Sequence, residues 1–200
     1  EKDQVKNGEF TKSDGTTQET EFMYSTECFY LEDQNAKGFI KYYKGGKYAF
    51  VAMLPNEDVS LENYVASLDG KALYGLLQNP QPDTVYTAIP KFETEYSTNM
   101  VSILSDMGMP RAFNDTLAQF QGLGTSTAGN IYIGRVIHKT FISVSEKGTK
   151  AGALTLIEMT DNAAPAEPKR VYLNRPFVYM LIDTQNKIQF FIGTMNDIKK

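Results

Sequence analysis

The side chains able to do covalent chemistry in this sequence are few. There is one cysteine, Cys28, and one histidine, His138, and no serine stands in a G-x-S-x-G elbow. A cysteine or serine hydrolase would have to use His138 as its base. That histidine lies between Ile137 and Lys139 in an apolar run, where a hydrogen-bonded structural histidine belongs. A lone cysteine makes no internal disulfide, and with a lone histidine it makes no zinc site, so no metal and no other cofactor is expected. Glu93 and Glu95 share one face of a strand, with no local partner that would divide them into an acid and a base. They read as a solvated face.

A second pattern is less common. After Gly148, the small residues Thr149, Ala151, Ala153 and Thr155 recur at period 2, and Ile157 and Met159 continue the same face. Period 2 is the spacing of one face of a strand, so the segment has a slim inner side. Only Gly148 separates it from the strand before it. A strand that must slide between two existing neighbours needs this kind of side chain on its crowded face.

The composition narrows the function. The 200 residues carry 20 Lys and Arg against 24 Asp and Glu, a net charge of -4, with the cations scattered. That removes the counterion-release term that drives nucleic-acid binding, so no nucleic-acid partner is expected. The longest apolar runs, Tyr48 to Leu54 and Phe177 to Ile182, fall far short of the roughly 20 residues of a membrane helix, so no membrane partner is expected. The sequence opens on the polar stretch Glu1 to Asn7, so no signal peptide is expected. At 42% hydrophobic residues the chain has the make-up of a globular protein, one large domain or two small ones.

The elements that must position these residues are mostly strands. Phe39 to Tyr43 and Tyr48 to Leu54 flank Lys44-Gly45-Gly46-Lys47, where Gly-Gly supplies the positive φ of a hairpin turn. Ser60 caps a helix with Leu61, Tyr64, Val65 and Leu68 at helical spacing, ending at Gly70, and Ala72 to Leu77 forms a shorter one. Thr84 to Tyr96 reads as strand with a bend at Pro90. Met100, Ile103, Leu104 and Met107 mark a helix capped by Thr98 or Ser97 and closed at Gly108, its methionines and Met109 serving packing. The stretch from Asn114 to Asn130 reads as loop with one turn around Leu117 and Phe120. Ile131 to Val144 has the look of a central strand covered on both faces, and Phe177 to Ile182 with Ile188 to Ile192 form a second hairpin. The fold class is α+β, dominated by β, with about three short helices.

The stretch His138-Lys139-Thr140-Phe141-Ile142-Ser143-Val144-Ser145-Glu146-Lys147-Gly148-Thr149-Lys150-Ala151-Gly152-Ala153 resembles the hinge of the serpins, the family of suicide protease inhibitors. Asn174-Arg175-Pro176-Phe177, followed by the second hairpin and Phe191-Ile192-Gly193, resembles the C-terminal strand pair of that family. Leu54-Pro55, Ala88-Ile89-Pro90-Lys91-Phe92 and Leu104-Ser105-Asp106-Met107-Gly108-Met109 fall in the family's order. The resemblance covers the back half of the fold, with the front helices and early large-sheet strands outside this chain. It implies two smaller antiparallel sheets, strands 5 and 6 of the large sheet, and one partial domain over 1–200 in which 146–168 are hinge and reactive-centre loop.

The resemblance further implies an inhibitor and not an enzyme. A target serine protease attacks the loop and forms its acyl-enzyme. The cut loop then enters the large sheet, with Glu146, Gly148, Thr149, Ala151, Ala153 and Thr155 as its hinge. Thr149 to Asn162 at about 3.3 Å per residue is roughly 46 Å of travel. Family loop spacing counted from Glu146 puts the scissile residue at Asn162, and counted back from Asn174 it puts it at Pro165. The poor reactivity of a proline site leaves Asn162, Ala163 and Ala164 as the residues at the cut, with Met159 as an outlier. Small residues there suit elastase-like or subtilisin-like proteases, and no Lys or Arg lies between Lys150 and Lys169 for a trypsin-like one. His138 is structural in the family, bonded to front-half groups that this chain lacks. Lys150 stands where the family usually has Glu, and Gly152 and Leu154 interrupt its run of small residues. A non-inhibitory binding or carrier module, or an inactive truncated form, is therefore the second reading. The implied partners are the protease and either the missing N-terminal half or a second copy at an exposed strand edge. The sequence leaves the compartment open, and the resemblance implies an extracellular or secreted protein.

Overall fold

A computed structural model describes residues 4–146 and 167–198. In chain order the elements are β1 (Val5–Thr11), β2 (Thr17–Glu32), β3 (Ala36–Tyr42), β4 (Tyr48–Pro55), α1 (Leu61–Ser67), α2 (Gly70–Gln78), β5 (Gln81–Pro90), β6 (Phe92–Asn99), α3 (Val101–Asp106), β7 (Ile137–Val144), β8 (Lys169–Tyr172), β9 (Phe177–Asp183) and β10 (Ile188–Met195). The chain divides into two compact units, Glu1–Glu93 with Ser143–Lys200, and Thr94–Ile142.

The first unit is built on an eight-stranded sheet in the order β10-β9-β4-β3-β2-β5-β8, with β1 paired to β2. Gly45 and Gly46 turn the β3–β4 hairpin at φ 88° and 70°, a region other residues rarely enter. β4 lies between β3 and β9, and Ala49 to Pro55 are all buried, so its sequence is apolar at every position and not alternating. One face receives α1 and α2. Ser60 Oγ accepts from the Asn63 amide at 3.1 Å and Asp69 Oδ1 from the Ala72 amide at 2.7 Å, satisfying first-turn donors that would otherwise have no partner. The helices drop Leu61, Tyr64, Leu73 and Leu77 onto Ile40, Val51, Met53 and Met180. Each such aliphatic side chain contributes about 1.5–3 kcal/mol by leaving water. The buried Tyr64 hydroxyl donates to Asp33 Oδ2 at 2.9 Å, and burial together with that carboxylate pushes its pKa up.

The other face is aromatic. Tyr179 stacks on Phe50 at 6.4 Å and meets Phe92 at 5.2 Å, and Phe177 packs edge-on to Phe10 at 6.4 Å. Gly193 is needed there, since a Cβ at that position would lie 2.5 Å from the Tyr179 hydroxyl.

The second unit holds most of β6 and β7, which form a two-stranded sheet, together with α3 and a 3-10 turn at Pro110–Phe113. Two strands are marginal in water on their own. Consistent with that, α3 buries no residue, and Met107 is 75% and Leu123 81% exposed.

The β-dominated α+β class with three short helices stands as expected, and several details within it are corrected. The run from Ile131 to Val144 is strand only from Ile137, and most of it is exposed or half-buried. The residues before it spend their backbone groups elsewhere: Ile133 N–H donates to Ala112 O, Val136 O accepts from Met100, and Val136 N–H donates to Asn99 Oδ1. Ser97 and Thr98 do not cap α3, because β6 carries them through to Asn99, whose Oδ1 accepts from the Val101 amide at 3.3 Å. Met107 and Met109 are exposed and do not pack α3, and Met100 at its start is half-buried. The N-terminal stretch, which showed no readable element, forms β1 and the long β2. The strands of the two smaller sheets are hydrogen-bonded into one continuous sheet, and it includes a parallel pair, β5 with β8.

Candidate functional site

The residues that gather around the start of the hinge come from distant parts of the first unit. β2 and β5 run antiparallel with Phe22 opposite Pro90, so the next pair outward is Glu21 and Lys91. The Lys91 amide donates to Glu21 O at 2.8 Å, and its Nζ lies 3.2 Å from Glu21 Oε2 and 3.1 Å from Glu146 Oε2. Burial works against the ammonium charge. The bonds to Glu146 and Glu21 and the two nearby negative charges outweigh it, and the Lys91 pKa is raised. Beside this triad, Ser143 Oγ donates to Glu93 Oε1 at 2.8 Å. Glu21, Lys91, Glu93 and Ser143 border an open cavity of about 500 Å³ whose apolar lining includes Phe92, Val144 and Ile198 and whose polar lining also includes Glu19.

This arrangement fastens Glu146 and Glu21 to one lysine. Among the described residues Lys91 is the one cation of the cavity wall, bridging two carboxylates, and neither Cys28 nor His138 lines it. His138 is exposed on β7, and among the described residues its ring has no hydrogen-bond partner, so the bonded role implied for it is not made within this part of the chain. Cys28 is half-buried in β2 with no activating base bonded to it among those residues. Among the described residues no group of His, Cys, Asp and Glu could hold a metal ion, and no helix is long and apolar enough to cross a membrane.

Of the site residues expected from the sequence, Glu146 stands in the fastening. Gly148, Thr149, Ala151, Ala153, Thr155, Asn162, Ala163 and Ala164 lie outside the described residues. The roles of Lys91 and Glu21 were not read from the sequence. Lys91 belongs to the stretch Ala88-Ile89-Pro90-Lys91-Phe92, but its two partners lie 70 residues before it and 55 after, and only the β2–β5 register brings Glu21 across.

Architecture and site together define a class: a β-dominated α+β chain in which the segment between β7 of the two-stranded sheet and β8 of the large sheet is fastened at its first turn. Comparison with known proteins gives that class its family. The sequence matches the serpin (serine protease inhibitor) family over residues 1–198, and the chain belongs to it. It is 33% identical over 180 residues to a serpin-like protein of Thermococcus kodakarensis, covering 88% of this chain and 41% of that one. It is 28% identical over 197 residues to human serpin B13, covering 96% and 50%. Among solved structures it is similar to the thermophilic serpin tengpin in its native state, with a TM-score of 0.87, 43% identity and coverage of 99% of this chain and 51% of that one. The chain therefore spans about half the length, or less, of these relatives.

Proposed function

We propose that this chain is the loop-bearing half of a suicide-substrate inhibitor of serine proteases. The observation that carries the reading is the Lys91–Glu146 ion pair at the point where β7 ends and residues 147–166 begin. A loop that is to be cut and then drawn into a sheet needs a fixed pivot at its first residue and slim side chains after it. Glu146 is the anchored residue, and Thr149, Ala151, Ala153 and Thr155 are the slim face. The bond attacked is Asn162–Ala163 or Ala163–Ala164, and an elastase-like or subtilisin-like protease fits these small residues. Insertion distorts the trapped acyl-enzyme, so that its oxyanion geometry and deacylation are lost. The uncut state is held by a kinetic barrier.

These 200 residues do not trap a protease alone. Insertion requires a strand on each side of the slot, and among the described residues β7 pairs only with β6. The remainder of the domain, or a second copy, covers that edge. The test is incubation with a panel of serine proteases, using this chain and a chain that includes the family's N-terminal half. SDS-resistant covalent complexes with the longer chain, and cleavage mapped to residues 162–164, are expected. A sole cut at Lys150 or Lys169 would refute the assignment.

A further inference from the structure

Asn114-Asp115-Thr116 is the only Asn-x-Ser/Thr triplet in the sequence with a residue other than proline in the middle. It follows the 3-10 turn Pro110–Phe113, and all three of its residues are exposed. From the hydrogen bonds at this turn we propose that Asn114 is an acceptor for N-linked glycosylation, taking its sugar from a polyprenyl-pyrophosphate-linked glycan.

The turn polarises one amide. Asn114 Oδ1 accepts three hydrogen bonds, from the Thr116 amide at 2.9 Å, the Thr116 hydroxyl at 2.8 Å and the Leu117 amide at 2.9 Å. A carboxamide oxygen has two lone pairs, so three donors draw heavily on its electron density. They favour the charge-separated form of the amide, in which an Nδ2 proton is more acidic, so that a base can remove it and free the nitrogen lone pair for attack. Nδ2 itself donates to no described residue, so the end of the side chain that must react is left to solvent. The middle residue, Asp115, takes no part in the bonding, whereas Thr116 supplies two of the three donors. On this proposal the hydroxyl is the part of Thr116 that a residue other than Ser or Thr would not supply.

The group transfer balances. The Nδ2–C1 bond to the sugar forms while the C1–O bond to pyrophosphate breaks. The departing polyprenyl pyrophosphate keeps that electron pair, and one Nδ2 proton passes to a base of the transferase.

The purified folded chain, with an oligosaccharyltransferase and a polyprenyl-pyrophosphate oligosaccharide, tests the proposal by intact mass and glycopeptide mapping. A single glycan at Asn114 is expected. Asn114→Gln should abolish it, Thr116→Val should lower the rate by at least about tenfold, and Thr116→Ser should keep most of it. The Thr116→Val chain is compared after circular dichroism shows it folded, and short peptides carrying each of the triplets are assayed beside the chains. Absence of glycan on the folded chain while a control acceptor peptide is fully modified would overturn the proposal. So would equal modification of the Val and Thr chains, because the hydroxyl would then do nothing.

Discussion

Lys91 Nζ stands 3.1 Å from Glu146 Oε2, fastening the last described turn after β7 to the junction of β5 and β6. Both side chains are partly solvated, so Glu146→Gln should cost only about 0.2–1 kcal/mol. Glu146→Lys should cost more, since it sets a second cation against Lys91 and leaves Glu21 as the only carboxylate bonded to it among the described residues. Urea unfolding at low and high salt reads both, and the gap between the variants should narrow with salt. Equal midpoints for Gln and Lys at low salt would show that the pair does not hold the pivot.

Alkaline pH should unfold the first unit through its buried phenols. Burial, with Glu32 and Asp83 adding to it at Tyr30, pushes Tyr30 and Tyr179 up to about 12 from an ordinary value of 10.0. A folded-state pKa raised above the unfolded one means that the unfolded chain loses its proton first. Stability is therefore full below about pH 10 and falls as pH rises toward 12. Phenolate absorbance followed beside circular dichroism should show a late fraction of tyrosines ionising together with unfolding. Tyr179→Phe should leave a shallower decline, and an unchanged slope would remove Tyr179 from the cause.

Inside the large sheet, Lys41 is ion-paired with Glu27, and its Nζ also donates to Ser25 Oγ at 3.0 Å. Ser25 Oγ in turn lies 2.7 Å from Glu27 Oε1 and 2.9 Å from Thr87 Oγ1, so one network joins β2, β3 and β5. Glu27 and Lys41 are both buried. Lys41→Met leaves a carboxylate without its cation and should cost about 3–5 kcal/mol, whereas Lys41→Met with Glu27→Leu should recover most of that loss. Denaturant midpoints of the two chains decide it. A double variant as unstable as the single would mean that the network's value lies in packing and not in charge pairing.

How far the sequence could be read followed from how local each signal was. The Gly45-Gly46 hairpin, the Ser60 cap and the β9–β10 pair are encoded within a few residues of themselves, and all three stand as expected. β2 was not legible because its two faces meet different environments along its length and a bulge between Glu27 and Phe29 breaks the alternation. β8 has only four residues and owes its existence to β5, some 80 positions earlier. The fastening was legible by half. Glu146 sits in a recognisable stretch, but Glu21 becomes a partner of Lys91 only through strand register, which no local pattern carries.

The proposed insertion makes its sharpest prediction at Thr149, the first residue after Gly148 whose side chain would enter the sheet. Thr149→Arg would require an unpaired guanidinium beneath the sheet, a cost of several kcal/mol even after relaxation. Insertion would then lag behind deacylation, while the scissile bond at 162–164 would be as accessible as before. In a chain that carries the full domain, the Thr149→Arg variant should be cleaved at a rate similar to that of the parent, yet yield little covalent complex. The parent should gain thermal stability on loop cleavage, because a newly paired central strand is added, and the variant should gain much less. Both readouts are needed, since a variant that merely misfolds would lose the stability of the uncut state as well as trapping. A Thr149→Arg chain that traps protease with unchanged stoichiometry would show that the loop does not enter from Thr149 onward. The non-inhibitory binding role would then describe this protein better.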